Sequence, residues 1–394
     1  MTTRQISSLE LALLTLATAV VTANGYYIHP IIARIAEDFE VSASSIGLVP
    51  ALNQLALAVG IFLLLPLGDR FSNRRLISFF VAGQCAGITM MAFAPDVYWF
   101  ATGSTLLGFF TIAPYLLPSY VSKRVDPGQL GHATAMLTTG VLMGILLARS
   151  GAGVIGEYLG WRTVYYLAAA LMLITGFLLP LTMDDDENTG KTKQPFNYSA
   201  LLLSMGSVIA RNPEVLLSGA IQGLSFGLFL AIWLALGLHL TSPAMGYGVD
   251  VVGYLSLLAI VNLYATPRLG RLADRIGARR ARLAFAVLQA VGMWLLFPFG
   301  DNIWLLMIPL LIMNIVGPTL DVSCRMLFLS EEPAIRTRLM AVYIILMFLG
   351  GGTGSWLGTT AYGWGGWQAV AWLASGMTAI TVLLSLYAMR RYAP

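Results

Sequence analysis

Apolar runs bounded by charged or turn residues recur along the whole chain. They predict helices near 9 to 30, 46 to 67, 76 to 95, 98 to 121, 130 to 155, 162 to 183, 214 to 240, 251 to 267, 282 to 299, 302 to 324, 339 to 360 and 367 to 389. About twenty helical residues cross the ~30 Å hydrocarbon core of a bilayer, so each run is long enough to span one. Sparse polar and aromatic residues inside the runs fall on single helix faces: Thr15, Thr18, Thr22, Tyr26 and His29 in the first, Ser104, Gly108, Thr111, Tyr115 and Ser119 in the fourth, and Gln222, Phe226, Phe229 and Trp233 in the seventh. Asn314 and Asp321 share a face in the tenth. The longest polar interruption, residues 184 to 212, opens with Asp184, Asp185, Asp186 and Glu187 and continues through Lys191 and Lys193 to Pro195. It is too polar to fold alone and reads as a linker between residues 1–183 and 213–394, six spans on either side. Within it, Leu201, Leu202, Met205 and Ile209 recur at helical spacing and predict a short helix on the membrane surface.

Composition sharpens this picture. Of 394 residues, 57% are hydrophobic and 11% charged, where soluble domains carry about 45–50% apolar and 25% charged residues. The fold class is therefore an all-α polytopic membrane protein, and a large soluble catalytic domain is excluded. The net charge of +4 does not point to nucleic acid, because the basic residues follow topology. With the N-terminus in the cytoplasm, 20 of the 23 Lys and Arg residues lie on the cytoplasmic side; Arg34 and Arg162 fall outside and Arg149 falls within a span. Both termini are then expected to be cytoplasmic. Glu10 at the start of the first span, and the length of that span, argue against a signal peptide. Cys85 and Cys324 sit in apolar segments and suggest neither a disulfide nor a metal site. With no nucleotide-binding glycine loop, metal-ligand cluster or nucleophile motif, neither an enzyme nor a cofactor is expected.

The two halves repeat one another. Leu67-Gly68-Asp69-Arg70 and Leu272-Ala273-Asp274-Arg275 are offset by 205 residues, Pro114 and Pro318 by 204, and Gly160-Trp161 and Gly366-Trp367 by 206. Such a duplication suits a transporter whose halves rock against each other. The run from Gly270 through Leu272, Asp274, Arg275 and Gly277 to Arg279 and Arg280 resembles the loop motif G-x-L-a-D-R-x-G-r-r of the major facilitator superfamily. The first-half copy has Leu65 and Ser72 where the motif has glycines. Tyr26-Tyr27-Ile28-His29-Pro30 and Pro66-Leu67-Gly68-Asp69-Arg70 further resemble twelve-helix bacterial drug:proton antiporters and metabolite exporters. The resemblance implies two pseudo-symmetric six-helix bundles in the bacterial inner membrane, a cavity lined by spans 1, 4, 7 and 10, and proton-driven export of a drug-like compound or metabolite. It also implies a conformational latch at Asp69, Arg70, Asp274 and Arg275, where ion pairs can form in one state and break in another.

Candidate substrate-binding residues on these faces are Asn24, Tyr26, Tyr27, Tyr115, Arg149, Gln222, Phe226, Trp233 and Asn314. The competing reading is that small residues serve tight helix contacts and the aromatics merely pack. Arg149 weighs most. A charge inside a span costs about 2.5–3.5 kcal/mol, so it calls for a partner or a task, unless it snorkels to the membrane edge. Glu157, two turns on, and His29 are its candidate neighbours, and Gly140, Gly144, Gly151, Gly153 and Gly156 would let other helices approach. For proton coupling the candidates are His29, Glu157 and Asp321. Two absences stand against coupling: all 19 Asp and Glu lie in loops or near span ends, and Ser104 lies near the place of the antiporters' fourth-helix arginine; the fifth span also departs from the antiporters' full proline-and-glycine pattern. The alternatives are import of an anionic solute such as a siderophore or carboxylate, or a non-transporting receptor of the same fold. Expected partners are a small-molecule substrate, protons and the lipid bilayer, with no nucleic acid and a monomeric assembly.

Overall fold

The computed structural model describes residues 5–126, 128–184, 206, 211–329 and 333–392, and among them it contains helices and no strand. The expected surface helix near 201 to 209 and most of the linker lie outside the described residues. The spans are Ser8–Asp38, Ala43–Gly68, Asn73–Ala92, Val97–Ser122, Leu130–Tyr158, Trp161–Thr182, Glu214–Leu240, Val249–Ile276, Ala278–Phe299 and Ile303–Phe328, followed by one helical run over Pro333–Arg391. That run would be about 90 Å long if straight, three times a bilayer core. Gly365 and Gly366 break it into an eleventh and a twelfth span. The twelve spans form two six-helix bundles.

Local sequence explains where the helices bend. Pro30 cannot donate a backbone hydrogen bond and its ring crowds the carbonyl four residues earlier, and the first span is interrupted between Ala23 and Ile28. Pro114 acts in the same way on the fourth span, which breaks between Phe110 and Ala113. Its repeat partner Pro318 lies inside an uninterrupted helix, so the halves differ here. Gly160 (φ 84°) and Gly366 (φ 60°) both adopt left-handed conformations just before Trp161 and Trp367. A side chain would be strained at either turn, which accounts for a glycine at both positions of the repeat. The first span runs eight residues beyond the expected end at 30. Arg34, Glu37 and Asp38 suggested a boundary, but they continue a helix whose Ile31, Ile32 and Ile35 are fully buried.

One end of the molecule carries both copies of the loop motif and is called the motif end; the other is the far end. The halves meet at the far end through backbone. A side-chain carbon added at Gly237 would lie 2.7 Å from the His29 carbonyl, and one at Gly153 would lie 2.8 Å from the Cα of Gly253. Small residues thus let the bundles close upon each other without intervening side chains.

Candidate functional site

Arg149, in the fifth span, is 2% exposed. It does not snorkel. Its guanidinium lies 4.7 Å from the Phe229 ring centroid, 4.8 Å from Trp233 and 5.2 Å from Tyr26. Tyr26 belongs to the first span, while Phe229 and Trp233 belong to the seventh. A cation from one half is therefore caged by aromatic rings from both, and each ring face attracts it through its quadrupole. No carboxylate among the described residues pairs with Arg149, and its Nε and Nη2 are buried without a hydrogen-bond partner.

Further unpartnered polar groups lie along the same helices. Both side-chain amide atoms of Asn24, both ring nitrogens of His29, Thr22 Oγ1, Gln222 Oε1 and Trp233 Nε1 are buried without a partner. His29 sits edge-on to Tyr26 at 5.3 Å and within electrostatic reach of Arg149. Buried polar groups are normally hydrogen-bonded, so a concentration of orphans marks a place built for something else. Toward the motif end, Phe226 stacks on Phe229 and meets Phe348 edge-on, and Phe348 in turn meets Tyr115. This aromatic column also crosses between the halves. Beyond it, Asp321 accepts hydrogen bonds from Arg325 (2.9 Å) and Tyr343 (2.5 Å).

Residues 14–320 and 215–394 match the family profile described as Major Facilitator Superfamily. The chain belongs to that superfamily. A transporter of Escherichia coli O157:H7, YgaY, described as uncharacterized, is 30% identical over 96% of this chain and 95% of its own length. The multidrug resistance protein MdtG of Klebsiella pneumoniae is 24% identical over 82% of this chain and 79% of its own. Among solved structures, a bacterial homolog of the lysosomal transporter Spinster superposes with a TM-score of 0.77 at 15% identity, covering 98% of this chain and 97% of that one. The nucleoside transporter NupG gives 0.75 at 15%, covering 98% and 100%. The protein is thus a multi-pass membrane transporter of the Major Facilitator Superfamily and not an enzyme.

Within this facilitator fold the structure places several of the sequence candidates apart from the cage. Tyr27 is one residue from Tyr26 and so points elsewhere, packing edge-on to Tyr165 of the sixth span at 6.4 Å. The Asn314 amide donates to the Leu310 carbonyl of its own helix and joins no described contact with the cage. Glu157 is no partner of Arg149. Its carboxylate accepts from Arg34 (3.2 Å) and from the Val249 backbone N–H (2.9 Å) at the far end. Of the fifth-span glycines, Gly140 and Gly144 abut the first-span backbone, whereas Gly151 faces open space. Phe229, placed on the seventh-span face but not among the candidate binding residues, is a full member of the cage. Arg325 and Tyr343 were not anticipated, and only the four-residue spacing of Arg325 from Asp321 signalled the former.

The latch fares differently in its two copies. The Asp69 side chain lies outside the described residues, and Arg70 is exposed at the motif end. Asp274 and Arg275 are exposed and make no ion pair among the described residues. The strong pairing near the second motif involves Glu214 instead, which accepts both Nε (3.0 Å) and Nη2 (2.8 Å) of Arg279. Arg282, fully buried, lies 3.9 Å from Glu214 and donates to Ser218 at 3.1 Å. Glu214→Ala would strip Arg282 of its counter-charge. The expected loss of stability is near the low end of the ~3–5 kcal/mol typical of a broken buried pair, because Glu214 and Arg279 are partly exposed. Thermal unfolding of the purified variant measures it, and Glu214→Gln is expected to fall between the two.

Proposed function

We propose that this chain is a secondary active exporter of a small organic solute, working by alternating access around the Arg149 cage and driven by protons. The observation that supports this most is that the cage is assembled from both halves, Arg149 and Tyr26 from one and Phe229 and Trp233 from the other. Rocking the bundles would then change the environment of a bound solute, as alternating access requires. The bias of Lys and Arg toward one side supports a cytoplasmic motif end and cytoplasmic termini, in a bacterial inner membrane. On that orientation the far-end contacts close the site to the exterior. The domain boundaries proposed are 1–183 and 213–394. Export is the direction favoured by the likeness to the multidrug resistance protein.

Among the coupling candidates, His29 lies at the cage, Asp321 is held by Arg325 and Tyr343, and Glu157 sits at the far-end seam. His29 is the proposed coupling group, because, of the three, it lies at the cage and both of its ring nitrogens are unpartnered. Reconstituted proteoliposomes test the reading. Solute-loaded vesicles are expected to show counterflow, and an imposed proton gradient to drive net accumulation in the inside-out orientation. His29→Gln is expected to keep counterflow and lose the response to the gradient. Absence of counterflow for the wild-type protein across a broad solute screen would refute transport.

A further inference from the structure

We infer that the caged edge of Arg149 is a carboxylate subsite, so that the transported solute is an amphipathic organic anion carrying a flat apolar body. This rests on the proposed transport reading and adds the substrate class to it. The two unpartnered donors, Nε and Nη2, lie on the same edge of the guanidinium, and together they form the fork that takes both oxygens of a carboxylate side-on. The molecule itself shows what fills such a fork. Arg279 uses the same two nitrogens to hold Glu214.

At Arg149 no such acid stands among the described residues. The nearest acidic candidate in sequence, Glu157, is engaged by Arg34 and Val249, and Asp321 by Arg325 and Tyr343. A buried charge without a counter-charge is costly, and a solute that brings the missing carboxylate recovers that cost on binding. The three rings around the cation set the rest of the ligand's chemistry. They wall the guanidinium with apolar rings at 4.7–5.2 Å, and Trp233 Nε1 adds one more buried donor. Among aromatic walls of this kind an aromatic or polycyclic acid is better matched than a small inorganic anion.

The test compares 2-naphthoate, its neutral isostere 2-naphthamide and the cation 2-naphthylmethylammonium on the purified full-length protein, by calorimetric titration and by counterflow in proteoliposomes. The carboxylate is expected to bind roughly 10- to 100-fold more tightly than the amide, the span expected for hydrogen bonds to a charged group. Arg149→Gln should erase that preference, while Arg149→Lys, which keeps the charge and loses the fork, should keep only part of it. Should Arg149→Gln fail to fold, the wild-type comparison of carboxylate and amide decides alone. Equal affinity for the two, preference for the ammonium, no binding of any of the three at millimolar concentration, or a preference that survives in Arg149→Gln would each overturn the inference. Equal counterflow of amide and carboxylate overturns the anion assignment and leaves transport standing. Selective binding of naphthoate without counterflow does the opposite.

Discussion

Gly354→Leu is expected to leave no folded, transport-competent protein. A side-chain carbon at Gly354 would lie 2.2 Å from the Gly227 carbonyl oxygen and 2.4 Å from its Cα, and one at Gly350 would lie 2.2 Å from the Gly223 carbonyl. The seventh and eleventh spans therefore touch backbone to backbone along two matched glycine rows. Overpacking a core usually costs about 1–3 kcal/mol because neighbouring side chains yield. Here the wall is main chain, and the helices must separate by ångströms along their length. The seventh span carries Phe229 and Trp233, so that separation also dismantles the cage. Gly376→Leu, where an added carbon meets nothing within 4 Å, is the matched control and should be tolerated. Size-exclusion profiles and counterflow of the two variants check the contrast, and equal behaviour would refute the seam.

A second expected result concerns the far end. Glu157 reaches across the halves to the first backbone N–H of the eighth span, Val249, while Arg34 steadies its carboxylate. A carboxylate on a helix N-terminus satisfies an otherwise orphaned donor and complements the helix dipole. Replacing a capping side chain with alanine costs about 0.5–2 kcal/mol. If that energy holds the far end shut, Glu157→Ala shifts the ratio of open to closed molecules by up to roughly 30-fold. Glu157→Gln, which still accepts the hydrogen bond but loses Arg34, should shift it less. Alkylation of a cysteine introduced at Leu238, beside the seam, by an impermeant maleimide reports the change. An unchanged rate in Glu157→Ala would remove Glu157 from the gate.

The sequence carried the fold because a bilayer imposes one length on every crossing, and because the turns at Gly160-Trp161 and Gly366-Trp367 demand the same backbone conformation in each half. It misplaced the end of the first span because Arg34, Glu37 and Asp38 look like a membrane boundary until Ile31, Ile32 and Ile35 are seen buried beside them. Arg149 was legible as a lone charge in an apolar run, and the helical stripes brought Tyr26 and Trp233 forward. What stayed hidden was pairing at long range. Nothing in spacing tells that Glu157 prefers Arg34 to Arg149, or that Glu214 reaches 65 residues along the chain to Arg279. Tyr27 stands apart from the cage beside Tyr165 although it adjoins Tyr26, and one-residue precision near a helix break exceeds what a stripe can give.

Alternating access is tested most directly by double electron–electron resonance on two spin-label pairs, one bridging the halves at the far end and one at the motif end. With solute and an imposed change of pH, the far-end distances should lengthen as the motif-end distances shorten, each pair showing two populations that exchange in opposite directions. Distances that stay fixed at both ends under every condition, or that lengthen together to leave a continuous pore, would contradict it.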